Sequence, residues 1–135
     1  MRDDDNSGCT ITLSEILLTA ILIILLCWRC DANAQTTEQV RQELARQGVP
    51  HADIVLAQAR LETGNFTSSL CRNHHNLFGI KHHGRRYARY RSWRESVSDY
   101  KQRISSRYHG GDYYAFLRRI GYAKDPKYIQ KLKQF

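Results

Sequence analysis

The chain has 135 residues, a length typical of one domain and too short for separate cofactor-binding and substrate-binding halves. Hydrophobic residues make up 41% of it, and only two prolines and eight glycines are present, which excludes a collagen-like, low-complexity or largely disordered chain. Twenty-one basic residues against thirteen acidic ones give a net charge of +8, which indicates an anionic partner: nucleic acid, a membrane surface or an acidic polymer.

The N-terminal segment has the features of an export signal. Residues 16–28 are uncharged, which fits the apolar part of a signal peptide, and they are fewer than the roughly 20 residues that span a bilayer. Ala32-Asn33-Ala34 is an A-x-A pattern of the kind that signal peptidase cleaves. We therefore predict a signal peptide over residues 1–34 and a mature domain over residues 35–135.

The charges around this segment leave a second interpretation open. The three aspartates at residues 3–5 and Arg29 after the apolar run are unusual for a signal peptide, so residues 11–28 could instead form an uncleaved membrane anchor. Both interpretations predict an exported domain, periplasmic or extracellular. Without residues 1–34 the chain has nineteen basic and eight acidic residues, so the net charge of the exported domain rises to +11.

The first two helices of this domain are predicted from caps and apolar spacing. Thr37 is a suitable N-cap for a helix that ends at Gln47. Pro50 fits the first position of a second helix that runs to Glu62 and is stopped by Gly64. Apolar residues occupy more than one face of this second helix, so we expect it to lie at the centre of the domain.

The later part of the chain predicts one irregular segment followed by three helices. The helical period fails over residues 77–92, where glycines and alternating tyrosines favour a short hairpin. Ser92-Trp93-Arg94-Glu95 is a capping-box sequence that opens a helix extending to Tyr108. Asp112 fits the cap of the next helix, and Asp125-Pro126 the start of the last. The predicted fold class is mainly α with a small β-hairpin.

Cysteine and histidine usage predicts no disulfide framework and argues against a metal site. After residue 34 the chain has a single cysteine, so a disulfide within the domain is excluded. A zinc site is the alternative, but Cys-x-x-His followed by His-His is not a usual ligand spacing. The residues concerned are Cys71, His74, His75, His82 and His83.

The eight acidic residues of the domain are few enough to consider one by one. Glu62 stands apart because it lies in the last turn of an apolar helix, where the negative end of the helix dipole opposes its charge. Partial burial would raise the pKa of its carboxyl group, as a general acid requires, whereas a solvated glutamate at a helix end is the alternative. Polar helix faces, helix caps or ion pairs explain the others: Glu38, Glu43, Asp53, Glu95, Asp99, Asp112 and Asp125.

Four segments together resemble one enzyme family. Residues 54–64 (IVLAQARLETG) resemble the helix motif of the bacterial glucosaminidase family, glycoside hydrolase family 73, which includes mannosyl-glycoprotein endo-β-N-acetylglucosaminidase-like and flagellar peptidoglycan hydrolase domains. Residues 76–81 (NLFGIK), 90–100 (YRSWRESVSDY) and 121–128 (GYAKDPKY) resemble later family segments in the same order. The resemblance covers about residues 50–132.

This resemblance implies a lysozyme-like fold, mainly α with a small β-lobe, and a groove that binds a peptidoglycan glycan strand. It implies that Glu62 is the proton donor to the glycosidic oxygen and that Tyr122 lies close to the bond being cut. An aromatic face suits stacking on a sugar, and an amide suits an acetamido group. The expected substrate-binding residues are Asn76, Phe78, Tyr128 and His75. No cofactor is implied, and we expect a monomer.

The chain departs from the two-carboxylate pattern of many glycosidases. Some family members take a second carboxylate from the β-lobe, but residues 79–92 contain no Asp or Glu. Hydrolysis would then use a water molecule held by Tyr122 or the acetamido group of the substrate as an internal nucleophile. The sequence does not distinguish these two routes.

Four other functions compete with glucosaminidase activity. A lytic transglycosylase or a muramidase of related fold cuts the same polymer, and a wall-binding module could keep the groove without chemistry. Residues 85–91 interleave arginines with tyrosines, a composition found in nucleic-acid-binding strands, although a soluble hairpin edge has the same composition. Export argues against nucleic acid. The predicted partner is therefore the glycan strand, with membrane contact only through an uncleaved N-terminal segment.

Overall fold

The computed structural model describes Leu17 and residues 35–84 and 86–135. The proposed cleavage site and all but Leu17 of the predicted signal peptide or anchor lie outside the described residues. No helix of the described part is both long and apolar enough to cross a membrane. Its helices and strands are α1 (Thr37–Arg46), α2 (Ala52–Thr63), α3 (Ser69–His74), β1 (Lys81–His82), β2 (Arg86–Tyr87), α4 (Trp93–Arg103), a 3-10 helix (Ser105–Arg107), α5 (Tyr113–Arg119) and α6 (Tyr128–Leu132).

Helix α1 is capped one residue earlier than predicted. Thr36, not Thr37, is the N-cap: its hydroxyl accepts from the Gln39 N–H at 3.2 Å, and the Gln39 side chain accepts from the Thr36 N–H at 2.9 Å. Glu43 was predicted on the polar face but is buried, and Arg46 donates to its carboxylate at 2.9 Å. The hydrogen bond from Arg46 holds the pKa of Glu43 below its ordinary value despite this burial.

The boundaries of α2 and α4 differ from the sequence prediction for backbone reasons. Helix α2 begins at Ala52, not Pro50, because His51 has a left-handed conformation with φ of 52°, which interrupts a right-handed helix. Helix α4 ends at Arg103 and gives way to the 3-10 helix, so the predicted single helix to Tyr108 is wrong. The predicted stop of α2 at Gly64 is confirmed.

The predicted start of α4 after Ser92 is confirmed but half of its capping box is missing, and the predicted start of the last helix is corrected. Ser92 makes no side-chain cap to α4, although Glu95 does reach back, accepting from the Arg91 N–H at 3.0 Å. The last helix begins at Tyr128 rather than next to Asp125, because the Asp125 carboxylate accepts a backbone N–H two residues on and forms a turn before the helix. The predicted Asp112 cap of α5 is confirmed.

The hairpin is short and is held to α4 by a single carboxylate. Strands β1 and β2 are antiparallel. Asp99 of α4 accepts from the Tyr90 hydroxyl at 2.8 Å and contacts Nε2 of His82 at 2.9 Å, in addition to the predicted pair with Arg103 at 2.6 Å. Burial disfavours the Asp99 anion, but these partners outweigh it and lower the pKa of Asp99 below its ordinary value.

The centre of the domain combines apolar packing with a buried polar cluster. Helix α2 packs against α1 and α6, as its apolar faces predicted. Gln58 of α2 is fully buried: it accepts from the Tyr100 hydroxyl at 2.6 Å, and its amide donates to the Tyr128 hydroxyl at 3.4 Å. The largest fully buried apolar and aromatic side chains of the described residues are those of Tyr100, Tyr113, Phe116, Leu44, Leu77, Leu117, Leu132, Val40, Val55 and Val97.

Helices account for about 54% of the structure, and the described residues form one small two-stranded sheet. This confirms the predicted fold class, mainly α with a small β-hairpin, and the architecture is lysozyme-like.

Candidate active site

A cleft of about 620 Å³ is bounded by helices on one side and the hairpin on the other. Its size falls within the range of roughly 300–1,000 Å³ that is usual for ligand sites. The walls come from the end of α2, the hairpin, the junction of α4 with the 3-10 helix, and the segment after α5. The lining residues are Glu62, Phe78, Gly79, Ile80, Lys81, Tyr87, Arg103, Ile104, Arg107, Ile120, Gly121, Tyr122, Ala123 and Lys124.

Glu62 is placed in this cleft by the last turn of α2. Its side chain is partly buried, and this burial raises the pKa of its carboxyl group above the ordinary value. The nearby Tyr128 hydroxyl favours the anion and offsets part of the rise. A carboxyl group that keeps its proton to higher pH, in a cleft open to a ligand, has the properties of a general acid.

Apart from this one carboxyl group, the charged residues that line the cleft are basic. Among the described residues that line it, Glu62 is the only acid, and four others are cationic: Lys81, Arg103, Arg107 and Lys124. Of these four, Arg103 alone forms an ion pair with another described residue. Sequence reasoning missed this basic lining because its members belong to three segments that only the fold brings together.

Tyr122 contributes its ring to the cleft but not a free hydroxyl. The ring is half-buried, and the hydroxyl donates to the Phe78 carbonyl oxygen at 3.1 Å. Burial, with smaller effects from Tyr128 and Glu62, raises the pKa of Tyr122 well above its ordinary value, so the hydroxyl stays neutral. Tyr122 therefore offers an aromatic face beside Glu62, and its hydroxyl fixes the backbone of the opposite wall.

Tyr128 lies behind Glu62 rather than in the cleft wall. It is 8% exposed, its ring centroid is 5.7 Å from that of Tyr122, and its hydroxyl lies near both Glu62 and Gln58. Burial, followed by the negative charge of Glu62, raises the pKa of Tyr128 well above its ordinary range. Tyr128 was predicted to bind substrate; it is not among the residues that line the cleft, and its hydroxyl lowers the pKa of Glu62.

Of the other three predicted groove residues, the structure places only Phe78 in the cleft wall. Phe78 is almost fully buried, with its ring 4.3 Å from that of Tyr100, yet it forms part of the cleft wall. His75 terminates α3 in a left-handed conformation with φ of 52° and is not among the cleft-lining residues. Asn76 is fully buried and is also absent from the lining.

The Asn76 side chain instead organises the loop beneath the cleft. Its amide donates to the carbonyl oxygens of Ile80 at 2.9 Å and Ala88 at 3.1 Å. Its oxygen accepts from the backbone N–H groups of Phe78 at 3.3 Å and Ile80 at 3.1 Å. With these bonds made, Asn76 joins the loop of residues 76–80 to the chain after β2 and has no exposed surface with which to touch a sugar.

Two of the five residues considered for zinc are held by other side chains in the structure. Cys71 is buried, and the Gln35 amide donates to its sulfur at 2.6 Å. His82 contacts Asp99. Among residues 35–84 and 86–135, no three His, Cys, Asp or Glu side chains are arranged to hold a metal ion.

A helical domain with a small hairpin, and a cleft between them that holds one carboxyl group of raised pKa, defines a lysozyme-like domain. The sequence profile of the Glucosaminidase family, described as mannosyl-glycoprotein endo-beta-N-acetylglucosaminidase, matches residues 37–135, and the chain belongs to this family. No curated protein and no solved structure matches the chain. Family membership confirms the resemblance and implies glycoside hydrolase activity with peptidoglycan as the substrate.

Proposed function

We propose that this protein is an exported endo-β-N-acetylglucosaminidase that hydrolyses the β-1,4 bond after N-acetylglucosamine in peptidoglycan strands, with Glu62 as general acid. The observation that carries the proposal is the Glu62 carboxyl group: burial raises its pKa, and it faces the cleft of a domain that belongs to the glucosaminidase family. Residues 1–34 would serve export, as a cleaved signal peptide or as an anchor.

In this mechanism Glu62 transfers its proton to the glycosidic oxygen as the bond to the anomeric carbon breaks. The leaving sugar departs as an alcohol, and positive charge develops on the sugar that remains bound. The face of Tyr122 supports that sugar, and Phe78 shapes the wall opposite. The Glu62 carboxylate then regains a proton from the water molecule that completes hydrolysis.

In this mechanism the nucleophile is not a carboxylate of the enzyme. The described cleft offers no second acid, so water attacks directly, or the acetamido oxygen of the substrate attacks first and forms a cyclic intermediate that water opens. The Tyr122 hydroxyl donates to the Phe78 carbonyl oxygen, and its own oxygen can still accept a hydrogen bond from a water molecule, so the cleft accommodates both routes.

A lytic transglycosylase is the second candidate, because that class also works with one glutamate and the cleft has a single acid among its described lining residues. The two candidates are separated by digesting purified peptidoglycan and identifying the new ends by mass spectrometry. Reducing N-acetylglucosamine ends support the glucosaminidase. Anhydro-muramic ends would establish the transglycosylase, and reducing muramic ends a muramidase.

A further inference from the structure

A second pocket adjoins the cleft and continues its basic surface. It has a volume of about 710 Å³ and shares Arg107 and Ile120 with the cleft, so the two cavities meet along these side chains. The proposed mechanism does not use this pocket. Its lining residues are Ser106, Arg107, His109, Gly110, Arg119 and Ile120.

The pocket is built to attract negative charge. No acidic residue lines it, and neither Arg107 nor Arg119 forms an ion pair with any residue that the structure describes. Both arginines are exposed, so a ligand can reach them. The Arg119 guanidinium lies 5.8 Å from the centre of the Phe116 ring, a contact that restricts its orientation.

We propose that this pocket, lined by Arg107 and Arg119, binds carboxylate groups of the stem peptides that branch from the glycan strand held in the cleft. The inference rests on the proposed function. A strand in the cleft reaches the pocket where the two cavities meet, and the peptides carry the carboxylates of such a strand. A guanidinium group matches a carboxylate with two parallel hydrogen bonds, which gives geometric selection as well as attraction.

The net positive charge of the domain would also attract an anionic strand without any specific contact. The chain offers a matched control that separates this attraction from binding in the pocket. Arg118 and Arg119 are adjacent, exposed, and both in the last turn of α5, where positive charge suits the helix dipole. Only Arg119 lines the pocket. The substitutions R118Q and R119Q therefore remove the same charge from the same helix end, and only one of them alters the pocket.

The experiment compares R119Q, R118Q and the unchanged protein on two substrates: peptide-bearing glycan strands, and the same strands stripped of peptides by an amidase, with the lactyl carboxylates that the amidase exposes then blocked as amides. We expect R119Q to raise KM for peptide-bearing strands about three- to tenfold, the range for a partly exposed charged contact, with kcat unchanged. R118Q is expected to leave this KM unchanged, and neither substitution should alter KM for stripped strands. Because the contact is ionic, the R119Q effect should shrink as salt is raised.

Two results would overturn the inference: equal effects of R118Q and R119Q, or an R119Q effect of the same size on stripped strands. Absence of cleavage by the unchanged protein would count against the proposed function instead. In that case, titrating fluorescent peptide-bearing strands with each protein tests whether the pocket binds carboxylates. A weaker Kd for R119Q alone supports carboxylate binding, and equal Kd values for the two variants contradict it.

Discussion

Gly79 lies against the carboxyl group of Glu62: a β-carbon added to Gly79 would be 3.3 Å from Oε2 of Glu62. The same glycine has φ of 61°, a left-handed conformation that side chains disfavour. The left-handed backbone and the close approach to Glu62 therefore both disfavour a larger residue at Gly79. The close approach also explains part of the burial that raises the pKa of Glu62, because the loop backbone displaces water from the carboxyl group.

The substitution G79A should reduce cleavage strongly, because the added methyl group presses on the Glu62 carboxyl group. It should also lower the free energy of unfolding by about 1–2 kcal/mol, the cost of a left-handed conformation for a residue with a β-carbon. Peptidoglycan turbidity assays and urea unfolding measure the two effects.

Gly84 provides the control, since it has φ of 77° but no atom within 4 Å of an added β-carbon. G84A should lose similar stability while keeping its activity. Equal activity loss in G79A and G84A would mean that backbone strain, and not the contact with Glu62, is responsible.

The substitution N76A should destabilise the protein by about 2–4 kcal/mol, because it leaves buried backbone groups of Phe78, Ile80 and Ala88 without partners. Thermal or urea unfolding measures this loss, and N73A, at an exposed position nearby, is the control. If Asn76 instead contacted substrate, N76A would raise KM with stability unchanged.

Helix positions were the most predictable part of the fold, because apolar spacing and stop glycines are local signals. The helix boundaries were less predictable where they depend on the backbone conformation of a single residue. Thr36 and Thr37 offer the same hydroxyl, and only the extended backbone at Thr36 makes it the cap. Nothing in the sequence shows that His51 turns left-handed and delays α2 after Pro50.

In the candidate site, too, features that depend on neighbouring residues in the sequence were predictable, and features that depend on distant residues were not. Glu62 stood out in the sequence because its position at a helix end has no local stabilisation, and the structure adds the burial that raises its pKa. The burial of Asn76 beneath the cleft could not be read from a motif. It depends on Ala88, twelve residues away across the hairpin, coming within hydrogen-bond distance.

The substitution Y128F should move the alkaline limb of the activity profile to higher pH. The Tyr128 hydroxyl lowers the pKa of Glu62, so its removal raises that pKa further and keeps the acid protonated at higher pH. The measurement is kcat/KM against pH, with Y114F, at a position outside the cleft, as control. A limb that stays in place or moves to lower pH would contradict this role.

The substitution D99N should cost about 1–3 kcal/mol at neutral pH, because Asp99 holds the hairpin through His82 and Tyr90. The pKa of Asp99 is depressed in the folded state, so its contribution is present above the ordinary value of 3.8 and is lost as pH falls through the folded-state pKa. Urea unfolding at pH 7 and pH 3 should show a large difference between D99N and the unchanged protein that shrinks in acid. A pH-independent difference would contradict the ionic contribution.

The central claim is that Glu62 supplies the catalytic proton, and E62Q tests it most directly. The amide keeps the size of the side chain but has no acidic proton to donate, so cleavage of purified peptidoglycan should fall by at least about two orders of magnitude, while the Kd for glycan strands changes little. The exposed E38Q on α1 makes the same substitution of an amide for a carboxyl group away from the cleft and should remain fully active. The measurement is the rate of release of reducing N-acetylglucosamine ends: near-complete loss in E62Q with binding retained is the predicted result, and an E62Q protein that still cleaves at the rate of E38Q would contradict the assignment.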